Sequence, residues 1–170
     1  MNRIINEVLK PLSRCPLQSY LDNRIQLFDV IEKILVETGP ADVYITTFST
    51  SEEFLRKIFH FRKKGFIRHA TMVTDLKASK KTKNLYHFIS NVFDDVYLGE
   101  NHSKIILISN DKWQVAVCTS QNQTRGNRTE GGIITTDKNV FDTFYCALSD
   151  FISTKTIQLN GLFTTANRTD

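Results

Sequence analysis

The amino-acid sequence predicts an α/β fold, a mixed β-sheet held between helical layers. Three observations carry this. Helical and strand patterns alternate through the first half, whereas strands cluster in the second. The segments Ile105-Ile106-Leu107-Ile108 and Val115-Ala116-Val117-Cys118 are apolar at both parities, the mark of strands covered on both faces. With 41% hydrophobic and 24% charged residues, the composition is that of an ordinary globular chain, not a disordered one. No repeat or linker interrupts the 170 residues, so residues 1–170 are expected to form one domain.

Taken in order, residues 1–22 read as an N-terminal arm, because Pro11 and Pro16 break any long helix. Asp22 is the expected cap of a helix running to about Glu37, with Ile25, Phe28, Ile31, Ile34 and Leu35 on one face. Gly39-Pro40 stops it. Val43 to Phe48 is β-branched and aromatic, hence a strand. Ser49-Thr50-Ser51 before Glu52-Glu53 signals a helix start. The helix behind it carries Phe54, Leu55, Ile58 and Phe59 and ends at Gly65.

Phe66 to Thr74 reads as a strand, Ser79 to Ser90 as a helix, and Val96 to Leu98 as a short strand ending at Gly99. Strands over Lys104–Ile108, Trp113–Thr119 and Gly131–Thr136 follow, the first two joined through an Asn110-Asp111 turn. A last helix spans about Lys138 to Ile152, with Val140, Phe141, Phe144, Leu148 and Phe151 expected to face inward.

The net charge of +4 is unevenly spread. Between Arg56 and Lys83 lie ten Lys and Arg against the single acid Asp75, so that segment carries +9 and the remainder −5. Such a concentration favours a polyanionic partner through phosphate contacts and counterion release. Cys15, Cys118 and Cys146 show no C-x-x-C spacing and cannot all pair within one chain. A reducing, cytoplasmic setting is the simplest expectation, with Cys118 buried and inert in its apolar strand. No apolar run approaches the ~20 residues of a membrane span, and charge interrupts the first residues too early for a signal-peptide core.

Of the four histidines, His60, His69 and His87 read as packing or surface residues, and none belongs to a metal-ligand cluster. No metal or cofactor is therefore expected, and no P-loop or G-x-G-x-x-G is present. His102 stands apart in His102-Ser103-Lys104, where residues two apart project together. Thr119-Ser120-Gln121-Asn122 ends the following strand, and pairing through the Asn110-Asp111 turn returns both ends to one edge of the sheet. His102, Lys104, Ser120 and Asn122 are then expected to converge, with Glu130 reaching the far ring nitrogen of His102. Phosphoryl chemistry uses such a set: an imidazole nucleophile, an ammonium and an amide on the oxygens, and a carboxylate fixing the tautomer.

The segment from His102 to about Thr136 resembles the phospholipase D superfamily, whose signature is H-x-K-x4-D, then G-S-x-N, then a Glu. Here Ser109 stands where the family has Asp, mainly a structural partner there, and Thr119 stands where it has Gly. Length and layout look like the small, single-motif bacterial nucleases of that superfamily. The resemblance implies a metal-independent phosphodiesterase, an endonuclease on DNA in preference to RNA, acting through a phosphohistidine at His102. It gives Lys104 and Asn122 to the phosphoryl oxygens, Ser120 to their support and Glu130 to the ring. With one motif per chain, it also implies a homodimer sharing the active site.

Arg62, Lys63, Lys64 and Arg68, the loop from Lys77 to Lys83, and Arg125 and Arg128 are the expected contacts to a nucleic-acid backbone. Two alternatives stay open. One is a catalytically silent nucleic-acid-binding domain that keeps the phosphate pocket. The other is a phospholipid phosphodiesterase, disfavoured because no amphipathic membrane-surface helix is evident.

Overall fold

The computed structural model describes residues 3–77, 83–124, 126 and 128–159. Chain order is α1 (Ile5–Val8), β1 (Leu17–Asp22), α2 (Leu27–Thr38), β2 (Ala41–Thr47), α3 (Glu52–Lys63), β3 (Ile67–Asp75), α4 (Tyr86–Val92) and β4 (Asp95–Gly99). Then come β5 (Ile105–Ser109), β6 (Gln114–Thr119), β7 (Glu130–Thr135), α5 (Lys138–Lys155) and β8 (Thr156–Gln158). Among the described residues, eight strands form one mixed sheet in the order β1-β7-β6-β5-β2-β3-β4-β8. Strands β2, β3 and β4 are parallel, and the other pairings are antiparallel.

The expected N-terminal arm is instead built into the fold. Its second half is β1, paired along its length with β7, while Ile5, Leu9 and Leu12 are buried beneath it. Pro11 and Pro16 both precede the strand and do not enter it. Asp22 does not cap α2; it ends β1 and accepts hydrogen bonds from the Arg24 backbone and guanidinium. The cap is Gln26, whose side chain accepts from the backbone of Asp29, while Asp29 accepts from the backbone of Gln26 at 2.7 Å. This reciprocal pairing satisfies two orphan N–H groups, and Gly39 at φ 75° ends the helix. Ser51 caps α3 as expected.

One face of the sheet carries α2, α3 and α4. Their apolar stripes enclose Val43, Ile45, Met72, Val96, Ile106, Ile108, Val115 and Val117, all buried. Phe28 of α2 meets Phe54 and Phe61 of α3 edge-on, at 6.2 and 5.1 Å between ring centroids. Among the described residues the opposite face is covered by α5 alone, which packs on Leu107 and Ala116. Eight strands at a ~4.8 Å spacing span about 34 Å, three times the ~10–12 Å width of one helix.

That disproportion corrects two expectations. Along the apolar stripe of α5 only Phe141 is buried; Phe144, Leu148 and Phe151 are half-buried and Val140 is 39% exposed. Cys118, expected to be buried, is exposed on the uncovered part of the sheet beside Ile133 and Leu21, which are 53% and 77% exposed. The last helix also runs on to Lys155 before the short strand β8, which the sequence pattern did not reveal.

Strand direction places the chemistry. The carboxyl ends of β2, β3 and β4 share one edge with the starts of β5 and β7 and with the ends of β6 and β1. In open α/β sheets, ligand sites gather at the carboxyl ends of the parallel strands.

Candidate active site

His102 lies not in a strand but in residues 101–104, the turn leading from β4 to β5. The turn is held by side chains from two neighbouring strands. Asp75, 6% exposed at the end of β3, accepts the backbone N–H of Asn101 at 2.8 Å and that of Lys77 at 2.6 Å. Asn101, itself buried, donates from its amide to Thr47 O at 3.3 Å and accepts from Ser103 N and Oγ at 3.2 and 2.5 Å. Thr46 Oγ1 is 2.8 Å from Ser103 Oγ and accepts the N–H of Ile105 at 2.9 Å. These bonds fix the backbone on both sides of His102 and leave its ring exposed. The imidazole rests against Phe48 at 5.2 Å between centroids and makes no hydrogen bond among the described residues.

Lys104 Nζ reaches back to His102 O at 3.1 Å, and both residues line one cleft. The β5–β6 hairpin closes through Asn110, whose side chain accepts from Lys112 N and Trp113 N, each at 3.0 Å. It brings Lys104 O within 3.1 Å of Thr119 N.

Thr119, at the family's Gly position, does structural work. Its hydroxyl donates to Gly131 O at 2.9 Å and lies 2.9 Å from the phenol of Tyr20. Tyr20 in turn donates to Gln121 Oε1 at 2.9 Å, and Gln121 donates to Ile25 O at 3.1 Å. Burial pushes the Tyr20 phenol up to about 12, against the smaller opposing effect of its Thr119 hydrogen bond. Gly132 makes room for this ring: a Cβ there would lie 2.7–2.8 Å from three Tyr20 atoms. Ser51 Oγ donates to Gln123 O at 2.9 Å, and Gln123 N donates to Ser49 O at 3.2 Å, pinning the loop beyond Asn122 to the start of α3.

The result is an open cleft of about 760 Å³ lined by His102, Lys104, Ser120, Asn122, Arg128 and Glu130, together with Cys118 and Thr119. His102, Lys104, Ser120 and Asn122 thus line one cleft, and Glu130 lines it with them. One detail differs. Glu130 is engaged by Ser120, whose hydroxyl donates to Glu130 Oε2 while accepting Gly131 N at 3.1 Å, and it makes no bond to His102. Ser120 and Glu130 meet because β6 and β7 are joined antiparallel, whereas His102 stands one strand further away. Ser109 and Asp111 both lie at the far end of the hairpin, so Asp111 does not bring a carboxylate to the cleft.

The predicted phosphate contacts divide. Arg128 lines the cleft; Arg125 lies outside the described residues, as do Lys80 and Lys81. Arg62, Lys63 and Lys64 end α3, and Arg68 begins β3, at the opposite edge of the sheet. Arg62 donates to Asp94 and to Val92 O, and Arg68 pairs with Asp42 at 3.2 Å. Backbone parity and composition cannot reveal that α3 runs away from the site. Among the described residues, no three His, Cys, Asp or Glu side chains cluster as a metal site.

Compared with known proteins, the sequence matches no family model and no curated protein. The fold matches solved structures over most of its length. Nuc from Salmonella typhimurium, described as a phospholipase D family member, is similar with a TM-score of 0.64 at 14% identity, covering 84% of this chain and 97% of its own. The fold is phospholipase D-like. NucT from Helicobacter pylori is similar at a TM-score of 0.60 and 14% identity, over 82% of this chain and 98% of its own. TrmBL2, an archaeal chromatin protein described as showing a novel mode of DNA binding, gives 0.54 at 8% identity, over 89% of this chain and 57% of its own. The phospholipase D-like fold thus accounts for the sheet order and for the helix layer on each face. Among the described residues, no helix is long and apolar enough to cross a membrane.

Proposed function

We propose that the protein is a metal-independent phosphodiesterase acting on nucleic acid, DNA in preference to RNA, with His102 as nucleophile. The observation that carries this reading is the gathering of His102, Lys104, Ser120, Asn122 and Glu130 in one open cleft at the carboxyl edge of the parallel strands. The phospholipase D-like fold and the H-x-K and S-x-N spacings support it.

In this reading, an imidazole nitrogen of His102 attacks phosphorus, a P–N bond forms, and the P–O bond to the leaving alkoxide breaks. The partner's His102 protonates that alkoxide, then takes a proton from a water whose oxygen attacks phosphorus, so that a P–O bond forms, the P–N bond breaks and the His102 imidazole leaves. Lys104 and Asn122 stabilise the phosphoryl oxygens as charge develops, and Ser120 with Glu130 holds the adjoining wall. The second histidine requires a homodimer whose two-fold axis passes through the active site. The exposed Ile133, Leu21 and Cys118 on the neighbouring bare sheet supply apolar surface for such contact.

The test is cleavage of plasmid and single-stranded DNA in excess EDTA by the wild type and by His102→Ala, with light scattering on both. Cleavage by a wild-type dimer and its loss in the variant support the reading; equal cleavage by both, or a strict monomer, overturns it. A second reading, a DNA-binding domain without catalysis, is favoured by the engagement of Glu130 with Ser120 in place of His102. It predicts salt-sensitive DNA binding and no cleavage by either protein.

A further inference from the structure

Beside the cleft lies a second, separate concavity that the proposed chemistry does not use. It holds about 300 Å³ between the turn carrying His102 and the half-buried face of α5, and Phe144, Ala147, Leu148 and Phe151 form its helical wall. His102, Ser103 and Ile105 line both spaces, so the cavity opens directly beside the reacting imidazole. Of its polar residues, Asn101, Ser103 and Thr46 are bonded to one another or to backbone, Glu100 pairs with Lys77 at 3.0 Å, and the His102 imidazole is unbonded among the described residues. Beyond that imidazole and the paired carboxylate, the walls offer a ligand carbon, much of it aromatic. Gly99 is part of this construction, because a Cβ there would lie 2.8 Å from the Phe151 ring and push it from its place.

We infer that this cavity receives one unpaired nucleobase of the substrate, on the nucleotide next to the phosphate held at His102. The inference rests on the phosphodiesterase reading and names its substrate form. Size selects the occupant: a dry cavity of about 150 Å³ takes one benzene, so about twice that volume suits a fused ring pair and not a long acyl chain. Aromatic walls stack on any base without reading its edge, which fits a cavity walled mainly by Ile105, Phe144, Ala147, Leu148 and Phe151. The ammonium of Lys104 and the guanidinium of Arg128 lie in the adjoining cleft, where the phosphate of the same nucleotide would sit. A base enters only after leaving its stack, so single-stranded substrate is preferred over duplex.

The experiment is calorimetric titration of the full chain with dAMP, with inorganic phosphate and with hexadecyl phosphate. The wild type is expected to bind dAMP at least about ten-fold more tightly than inorganic phosphate, the scale of one stacked base. Ala147→Trp, which fills the cavity, and Phe151→Ala, which removes a stacking face, should each bring that ratio below about three. Val140→Ser, on the exposed part of the same helix, should keep it. Equal affinities in the wild type, or a ratio untouched by Ala147→Trp and Phe151→Ala, overturn the inference. A preference for hexadecyl phosphate overturns it in favour of an acyl site. A change of oligomeric state in Ala147→Trp with the ratio unchanged overturns it in favour of a subunit interface. Binding decides the matter independently of turnover: failed hydrolysis with the dAMP preference intact sinks only the nuclease reading, and the converse sinks only this one.

Discussion

Asp75→Asn tests whether the His102 turn is held from β3. The substitution preserves shape and removes one acceptor, turning it into an N–H₂ that faces a backbone N–H. Asp75 accepts two such donors, from Lys77 at 2.6 Å and Asn101 at 2.8 Å, and is 6% exposed, so water cannot replace the lost bond. A hydrogen bond to a charged group contributes about 1.5–3 kcal/mol, and for a chain of this size each kcal/mol moves Tm by about 2–4 °C. The variant should therefore lose about 1.5–3 kcal/mol in urea unfolding at unchanged m value, or about 3–12 °C in a thermal scan. Because Asn101 adjoins His102, hydrolysis of a chromogenic phosphodiester should fall by roughly 10²-fold in kcat with little change in KM, as for a misplaced reacting group. A stability change below about 0.5 kcal/mol, the range of an ordinary surface substitution, with kcat within two-fold, would refute the argument that this network positions the turn.

Other consequences are as specific. Gly132→Ala forces a Cβ to within 2.7–2.8 Å of the Tyr20 ring and should cost about 1–3 kcal/mol by overpacking, read by chemical denaturation. Tyr20 is raised by burial to about 12, so its contribution is complete below the unfolded value near 10 and is lost as pH climbs from about 10 to about 12, by on the order of 2–3 kcal/mol. Tyr20→Phe should flatten that part of the alkaline stability profile; an unchanged profile would contradict the burial argument. Arg128→Gln should lower the salt slope of DNA binding by about one, whereas Lys63→Gln with Lys64→Gln should leave it unaltered, since both lie at the far edge of the sheet. Cys118, exposed in the cleft, should react with iodoacetamide in Cys15→Ser, Cys146→Ser protein and lose activity as it does; retained activity would show that the substrate path avoids it.

Much of the architecture was legible because it rests on local signals. The doubly apolar β5 and β6, the Ser51 cap and the Gly39 stop each have a local physical cause, and each is in place. The convergence of His102, Lys104, Ser120, Asn122 and Glu130 was legible for a related reason, since one hairpin turn fixes which strand ends meet. What was not legible depends on distant partners. The Asp75–Asn101–Thr46 scaffold joins three strands whose polar termini look like ordinary strand ends. The exposure of Cys118 follows from how little of the sheet α5 covers, which no local pattern records. The basic run from Arg56 to Lys83 suggested one surface, yet α3 carries part of it away from the cleft, where Arg62 and Arg68 are held by Asp94 and Asp42.

The most direct test of the central claim is rapid quenching of the protein with a chromogenic phosphodiester in excess EDTA, followed by mass spectrometry of the peptide containing His102. The account predicts an acid-labile, alkali-stable phosphoryl adduct on His102, absent from His102→Ala. Turnover with an unmodified His102, or an adduct on another residue, would contradict it.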